Sequence, residues 1–193
     1  MREQGTPSPL IVVLDANVLY PSSVRDTLLR GAEEGLYVPR ISRQILEEVM
    51  RNLRRRPQIT EKRAVHLETE VRLYFESVNA LVTDYEALIP SLTNDEKDRH
   101  VLAAAIRAGA QIIVTFNLKD FPNRSLSPHE VVALHPDVFL TRLHALYPDE
   151  LDRIVREQAA ALTKPTRTVG QLLETLAQHT PGFVRLVRPR LLV

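Results

Sequence analysis

Short apolar runs recur along the chain up to about residue 135, and polar or amphipathic segments separate them. The runs are rich in β-branched residues, and they are LIVVLD (10–15), ALVTD (80–84), QIIVTFN (111–117) and VVAL (131–134), with a weaker candidate at 36–39. A run that is apolar at nearly every position is typical of a strand buried on both faces, as in a parallel sheet. Because helical patterns lie between the runs, the sequence predicts an α/β fold with a mostly parallel sheet flanked by helices.

Capping and breaking residues mark the ends of the predicted helices. The candidate caps, in chain order, are Ser22 or Ser23, Ser42, Thr60, and Asn94 or Asp95. The helices that follow them are predicted over about 24–34, 43–56, 61–78 and 95–108. Gly35, Pro57 and Gly109 end three of these helices, because glycine is favoured just past a helix and proline cannot continue one.

From Asp137 onward the pattern is helical only. We predict helices over 139–162, with a break at Tyr147–Pro148, and over 169–179. The sequence therefore divides into a flexible N-terminus (1–9), a sheet-containing region (10–136) and a helical C-terminal extension (137–193).

Composition narrows the classes of protein. With 193 residues and 44% hydrophobic content, the chain can bury a substantial core. It has no Cys, which excludes disulfides, thiol nucleophiles and Cys-based zinc sites. The polar N-terminus lacks the pattern of a signal peptide, and no apolar run approaches the ~20 residues of a membrane span. We expect a soluble, cytoplasmic protein.

Acidic and amide side chains follow two of the predicted strands. Asp15 ends the first strand, and Thr115, Asn117 and Asp120 lie at or just beyond the end of the fourth. Ligands of open parallel sheets bind at the carboxyl ends of the strands, so these side chains are candidates for a site. Glu48 and Asp98 add acids beside apolar helix positions, where burial of a charge requires compensation. Hard oxygen ligands suit Mg²⁺ or Mn²⁺.

Four segments together resemble PIN-domain ribonucleases, and especially the VapC-type toxins of toxin–antitoxin pairs. They are LDANVL, ILEEVMRNL, DEKDRHVLAAAI and VTFNLKDF, within about residues 10–135. The resemblance implies a Rossmann-like sheet, three or four acids around Mg²⁺ or Mn²⁺, and hydrolysis of RNA to a 5′-phosphate and a 3′-hydroxyl. It also implies an antitoxin protein partner and a homodimer. Carried onto this sequence, the catalytic and metal-binding acids are Asp15, Glu48, Asp98 and Asp120.

The fourth acid departs from the pattern of the family. Many relatives place an Asp two residues after the Thr of this strand, where this chain has Asn117, so Asp120 from the following turn is the substitute. Glu47 competes with Glu48, but adjacent helix residues point about 100° apart and only one can face the sheet. Supporting roles fall to Thr115, Asn117, Asn17 and Asp95.

Two further questions stay open at this stage. The basic run 51–56 supplies Arg51, Arg54, Arg55 and Arg56, which either contact RNA phosphates or form a solvated helix end. Asn117 in place of an acid also leaves room for a catalytically inactive module that binds RNA or protein. A nuclease acting on DNA is a further alternative, because carboxylates do not distinguish the two sugars.

Overall fold

The computed structural model describes residues 9–55 and 60–192, without the side chain of Arg63. The predicted flexible N-terminus, apart from Pro9, lies outside the described residues, as do Arg56 and the helix-ending Pro57.

A five-stranded parallel sheet forms the centre of the structure. The strands are β1 (Ile11–Leu14), β2 (Val38–Ser42), β3 (Leu81–Val82), β4 (Ile112–Val114) and β5 (Val132–Leu134). Their spatial order is β3-β2-β1-β4-β5, and every neighbouring pair is parallel. Val12, Val13 and Leu14 of the central strand are completely buried, as expected for a strand covered on both faces. The predicted α/β fold with a parallel sheet is confirmed.

Helices cover both faces of the sheet and form the C-terminal part. They are α1 (Ser22–Glu33), α2 (Arg43–Arg54), α3 (Glu61–Ser77), α4 (Arg99–Ala108), α5 (Asn123–Leu126), α6 (Pro136–Leu146), α7 (Pro148–Ala161), α8 (Val169–Ala177) and α9 (Pro181–Leu191). Short 3₁₀ turns include Ala16–Leu19, Glu96–Asp98 and Leu118–Asp120. Within residues 9–55 and 60–192, no helix combines the length and the apolar character needed to cross a membrane.

The structure corrects several boundaries. Strand β2 begins at Val38, because Gly35 adopts a left-handed φ of +73° and the Leu36 amide donates to Gly31 O at 3.0 Å, which continues the turn after α1. Helix α1 begins at Ser22, with Pro21 as its N-cap, so neither serine caps it as predicted. Helix α9 was not predicted individually, because Gly182 and Pro189 disguise its pattern.

Helices α2 and α4 are the two that bring acids to the sheet. The predicted cap of α2 is confirmed: Ser42 Oγ accepts a hydrogen bond from the Ile45 amide at 3.2 Å, and Ser42 is fully buried. One face of α2 is buried, which fixes the rotation of the helix about its axis. Helix α4 packs three fully buried residues, Ala103, Ala104 and Ala105, and ends at the left-handed Gly109.

The C-terminal helices share one hydrophobic core with the sheet region. Tyr37 and Phe139 meet edge to face with ring centroids 5.2 Å apart. Between α1 and α7, Thr27 Oγ1 donates to Gln158 Oε1 at 2.7 Å, and Gln158 Nε2 donates to Ser23 O at 2.9 Å. All three of these polar residues are buried. The extension is therefore packed tightly onto α1.

Replacement of Ser42 by Ala should lower the free energy of unfolding by about 1 kcal/mol, because the cap hydrogen bond at the start of α2 is lost. Urea unfolding monitored by circular dichroism measures this change. Ser22→Ala is the matched control: Ser22 is exposed and lies inside the first turn of α1, so its loss should change stability by less than about 0.5 kcal/mol. Equal effects of the two substitutions would contradict the capping role of Ser42.

Candidate active site

Asp15 is the buried centre of the site. It follows β1 directly, and only 3% of its surface is exposed. Its Oδ2 accepts hydrogen bonds from Thr115 Oγ1 at 2.7 Å and from Asn17 Nδ2 at 2.5 Å. Residues Leu14 and Val114 pair across β1 and β4, so Asp15 and Thr115 leave neighbouring strands at the same level. The parallel register thus places the donor beside the carboxylate.

The end of β4 supplies a second group of polar side chains. Asn117 donates its amide N–H to Thr115 Oγ1 at 2.9 Å, and its side-chain Nδ2 donates to Asp120 Oδ2. The Phe116 amide donates to Asn17 Oδ1 at 3.0 Å, which ties the two strand ends together. Asn117 therefore brings no negative charge of its own, but its hydrogen bond holds the carboxylate of Asp120 in place.

Glu48 faces the site and Glu47 does not. Glu47 is exposed and pairs with Arg43 at 3.0 Å on the outer face of α2. Glu48 is half-buried, and its Oε1 lies 3.3 Å from Nε2 of the buried His100 on α4. Its charge also raises the pKa of Asp15. The structure thus selects Glu48 from the two adjacent acids as the neighbour of Asp15.

Asp98 completes the cluster from the start of α4. Burial and repulsion from Asp15, Asp120 and Asp95, in that order, raise the pKa of Asp98 from an ordinary 3.8 to about 6. The pKa of Asp15 is also raised, mainly by burial, although the Thr115 hydrogen bond lowers it. These shifts show that acids from distant parts of the sequence lie close enough to oppose one another's ionisation.

Asp95 lies between the two ends of this cluster. Its amide donates to Asp120 O at 3.2 Å, its carbonyl accepts from the Asp98 amide at 3.0 Å, and its Oδ1 accepts from the Lys97 amide at 3.1 Å. Asp95 thereby fixes the backbone that joins Asp98 to Asp120. Repulsion between carboxylates therefore links Asp15 to Glu48 and Asp98, and Asp98 to Asp95 and Asp120.

The donor set fits a hard divalent cation. The acids offer carboxylate oxygens, which Mg²⁺ and Mn²⁺ prefer, and their mutual repulsion is what a bound cation relieves. Among residues 9–55 and 60–192, however, no group of three or more Asp, Glu or His side chains is arranged as a ready metal site. Asp15 and Asp120 each have one oxygen engaged by hydrogen bonds from neighbouring side chains. The carboxylates therefore do not form a complete set of metal ligands in this arrangement.

The arginines of the predicted basic run differ in their contacts. Arg54 pairs with Glu68 of α3 at 2.6 Å and lies 3.9 Å from Glu61, so it links two helices. Arg51 and Arg55 are exposed, and Arg56 lies outside the described residues.

His100 is not among the residues predicted for the site from the sequence, but the structure places it there. The side chain is buried and faces Glu48, and it offsets a small part of the rise that burial causes in the pKa of Asp15 and of Asp98. Its position gives the signal that was available: it follows Asp98 by two residues and directly precedes the buried run 101–105. A polar residue next to such an apolar run is a candidate for a buried position.

Replacement of Asp98 by Asn should raise the melting temperature of the metal-free protein at pH 7.5. Because the pKa of Asp98 is raised in the folded state, its ionisation costs stability as pH rises from about 4 to about 6, and the loss persists above pH 6. In EDTA this advantage of Asp98→Asn should shrink as the pH falls from 7.5 to about 4, because Asp98 then becomes protonated in the folded state. Glu96 is exposed on the same turn, and Glu96→Gln is the control. Its melting temperature at pH 7.5 should equal that of the parent. A variant that melts below the parent at pH 7.5 would refute the repulsion.

Comparison with known proteins agrees with this architecture. The family model described as PIN domain matches residues 11–119, and the model described as VapC50 C-terminal domain matches residues 136–189. A protein of Mycobacterium tuberculosis described as "Putative ribonuclease VapC50" is 40% identical over 109 residues, which are 56% of this chain and 64% of that protein. The match thus spans less than two thirds of that relative's length. No solved structure matches the chain. The PIN model covers more than half of the sequence, and this chain belongs to the PIN-domain family.

Proposed function

We propose that this protein is a Mg²⁺- or Mn²⁺-dependent endoribonuclease that acts as the toxin of a toxin–antitoxin pair. The observation that carries the proposal is the mutual repulsion that links Asp15 to Glu48 and Asp98, and Asp98 to Asp120, in a PIN-domain chain. The similarity to a protein described as a ribonuclease supports RNA as the substrate.

In this proposal the four acids hold the cation, and the neighbouring polar side chains hold the acids. Thr115 and Asn17 orient Asp15, and Asn117 orients Asp120. When bound, the cation supplies the positive charge that activates water and neutralises the phosphate and the leaving oxygen. The carboxylates contribute by binding and orientation, and the expected products carry a 5′-phosphate and a 3′-hydroxyl.

Substrate and partners follow from the same site. The exposed Arg51 and Arg55 are proposed contacts for RNA phosphates, whereas Arg54 is engaged by Glu68. An antitoxin peptide would place an Arg or Lys among the acids, where its charge competes with the cation. The proposal also includes a homodimer and a cytoplasmic location.

Asn117 favours one rival, an inactive PIN-like module that binds RNA or protein without cutting it. Relatives with Asp at this position have one more negative charge at the cation site. The hydrogen bond from Asn117 to Asp120 argues against the rival, because it presents a substitute carboxylate at the same edge.

Labelled RNA and labelled DNA, each incubated with the protein in Mg²⁺, Mn²⁺ or EDTA, separate these functions. RNA should be cut in either metal and remain intact in EDTA, while DNA remains intact. Asp15→Ala and Asp98→Ala should each lower the rate about 100-fold or more, because metal stabilisation of charge is worth several kcal/mol and each ~1.4 kcal/mol is a factor of ten.

Other results would point elsewhere. Binding of RNA without cleavage in any metal would establish the inactive module, and cleavage of DNA would establish the other nuclease. A folded Asp15→Ala or Asp98→Ala protein that cuts RNA at the parental rate would refute the site.

The adjacent acids of α2 provide a matched pair. Glu48→Gln should lower RNA cleavage about 100-fold, because a ligand charge facing Asp15 is lost. Glu47→Gln should remain within about twofold of the parent, since it removes only an exposed ion pair with Arg43. Initial rates at equal protein concentration measure the difference. Comparable losses in the two variants would show that helix α2 does not present Glu48 to the reaction.

A further inference from the structure

His100 is a buried polar residue without an evident structural reason for being polar. Its side chain is 3% exposed, and neither ring nitrogen has a hydrogen-bond partner among the described residues. Most buried polar groups in folded proteins are hydrogen-bonded, so an unsatisfied imidazole requires an explanation. An apolar side chain would fill the same space without this cost.

The nearest acid explains the polarity. Nε2 of His100 lies 3.3 Å from Oε1 of Glu48, which is ion-pair distance, although the two groups are not aligned as a hydrogen bond. The Glu48 side chain is 29% exposed and the His100 side chain only 3%. A buried imidazole on α4 therefore faces a partly exposed carboxylate on α2.

The other acids of the cluster have side-chain donors that orient them. Asp15 accepts from Thr115 and Asn17, and Asp120 accepts from Asn117. Glu48 comes from helix α2 and not from the segments after β1 and β4, which carry those donors. His100 is the polar group that the fold places beside it.

We propose that His100 is a positioning residue for Glu48: a ring N–H donates to one carboxylate oxygen and directs the other toward the cation site. This inference rests on the proposed function, because it assigns to Glu48 the role of a cation ligand. His100 itself touches neither the cation nor the substrate. A side chain that acts in this way changes metal affinity about 10- to 100-fold when it is removed.

The test measures Mn²⁺ binding to the full chain by calorimetry, with thermal unfolding in EDTA as a separate readout. His100→Leu keeps similar volume and lacks a donor, so Mn²⁺ should bind about 10-fold more weakly or worse. His100→Gln keeps an N–H donor and should bind within about threefold of the parent. Should His100→Leu not fold, His100→Met makes the same comparison.

The chain offers a matched control in a second buried histidine. His144 of α6 lies 3.3 Å from Asp152 of α7, at the same distance as the His100–Glu48 contact but in the C-terminal helices. His144→Leu should lower the melting temperature and leave Mn²⁺ affinity within about twofold of the parent. A general effect of removing a buried imidazole is thereby separated from an effect on the acids.

A double-substitution cycle shows whether His100 acts through Glu48. In the Glu48→Ala background, His100→Leu should change Mn²⁺ affinity by less than about twofold, because the group that it positions is already absent. A full 10-fold loss in that background would overturn the inference.

The remaining outcomes are distinct. Parental affinity in a folded His100→Leu protein overturns the positioning role and leaves the proposed function intact, as does equal weakening by Leu and Gln, which would indicate ring volume alone. A parent that neither binds Mn²⁺ nor cuts RNA overturns the proposed function, and the role of His100 with it.

Discussion

The burial of a carboxylate at the end of the central strand is the constraint on which the site depends. Asp15 is almost inaccessible to water, and burial raises its pKa. A charge in that position requires donors, and the sheet provides them because parallel strands end at one edge: Thr115 leaves β4 at the level where Asp15 leaves β1. Asn17 completes the arrangement by joining the two strand ends. The polar network is therefore a consequence of strand register.

The same edge concentrates more negative charge than the folded chain accommodates without cost. Asp98 shows this most directly, because burial and three neighbouring acids raise its pKa to about 6. Such opposition between stability and chemistry is common at functional sites, where groups that repel one another are held in place by packing elsewhere. Here the holding elements are α2, whose apolar face is buried, and α4, whose alanines pack tightly. Rigid helices keep acids together that would otherwise separate.

The sequence allowed much of this to be predicted. Doubly buried strands, the cap at Ser42 and the C-terminal Gly109 are local signals, and each corresponds to the structure. Helical geometry allows only one of Glu47 and Glu48 to face the sheet, and the resemblance to the family favoured Glu48. Boundaries failed where tertiary contacts decide, as where the turn after Gly35 delays β2 until Val38. His100 escaped notice because its significance depends on a carboxylate 52 positions away, which only the packing of α4 against α2 brings near.

The buried amide of Gln158 has a consequence for how the two matched regions are related. The amide forms hydrogen bonds with Thr27 and with the carbonyl of Ser23. The side of α1 that faces α7 is therefore part of the protein interior. Tyr37 and Phe139 extend this joint with aromatic contact. A shortened protein that ends at β5 would expose that side to solvent as a large hydrophobic patch, which would favour aggregation. The C-terminal helices thus cover a side of the PIN-matched segment that would otherwise be in contact with water.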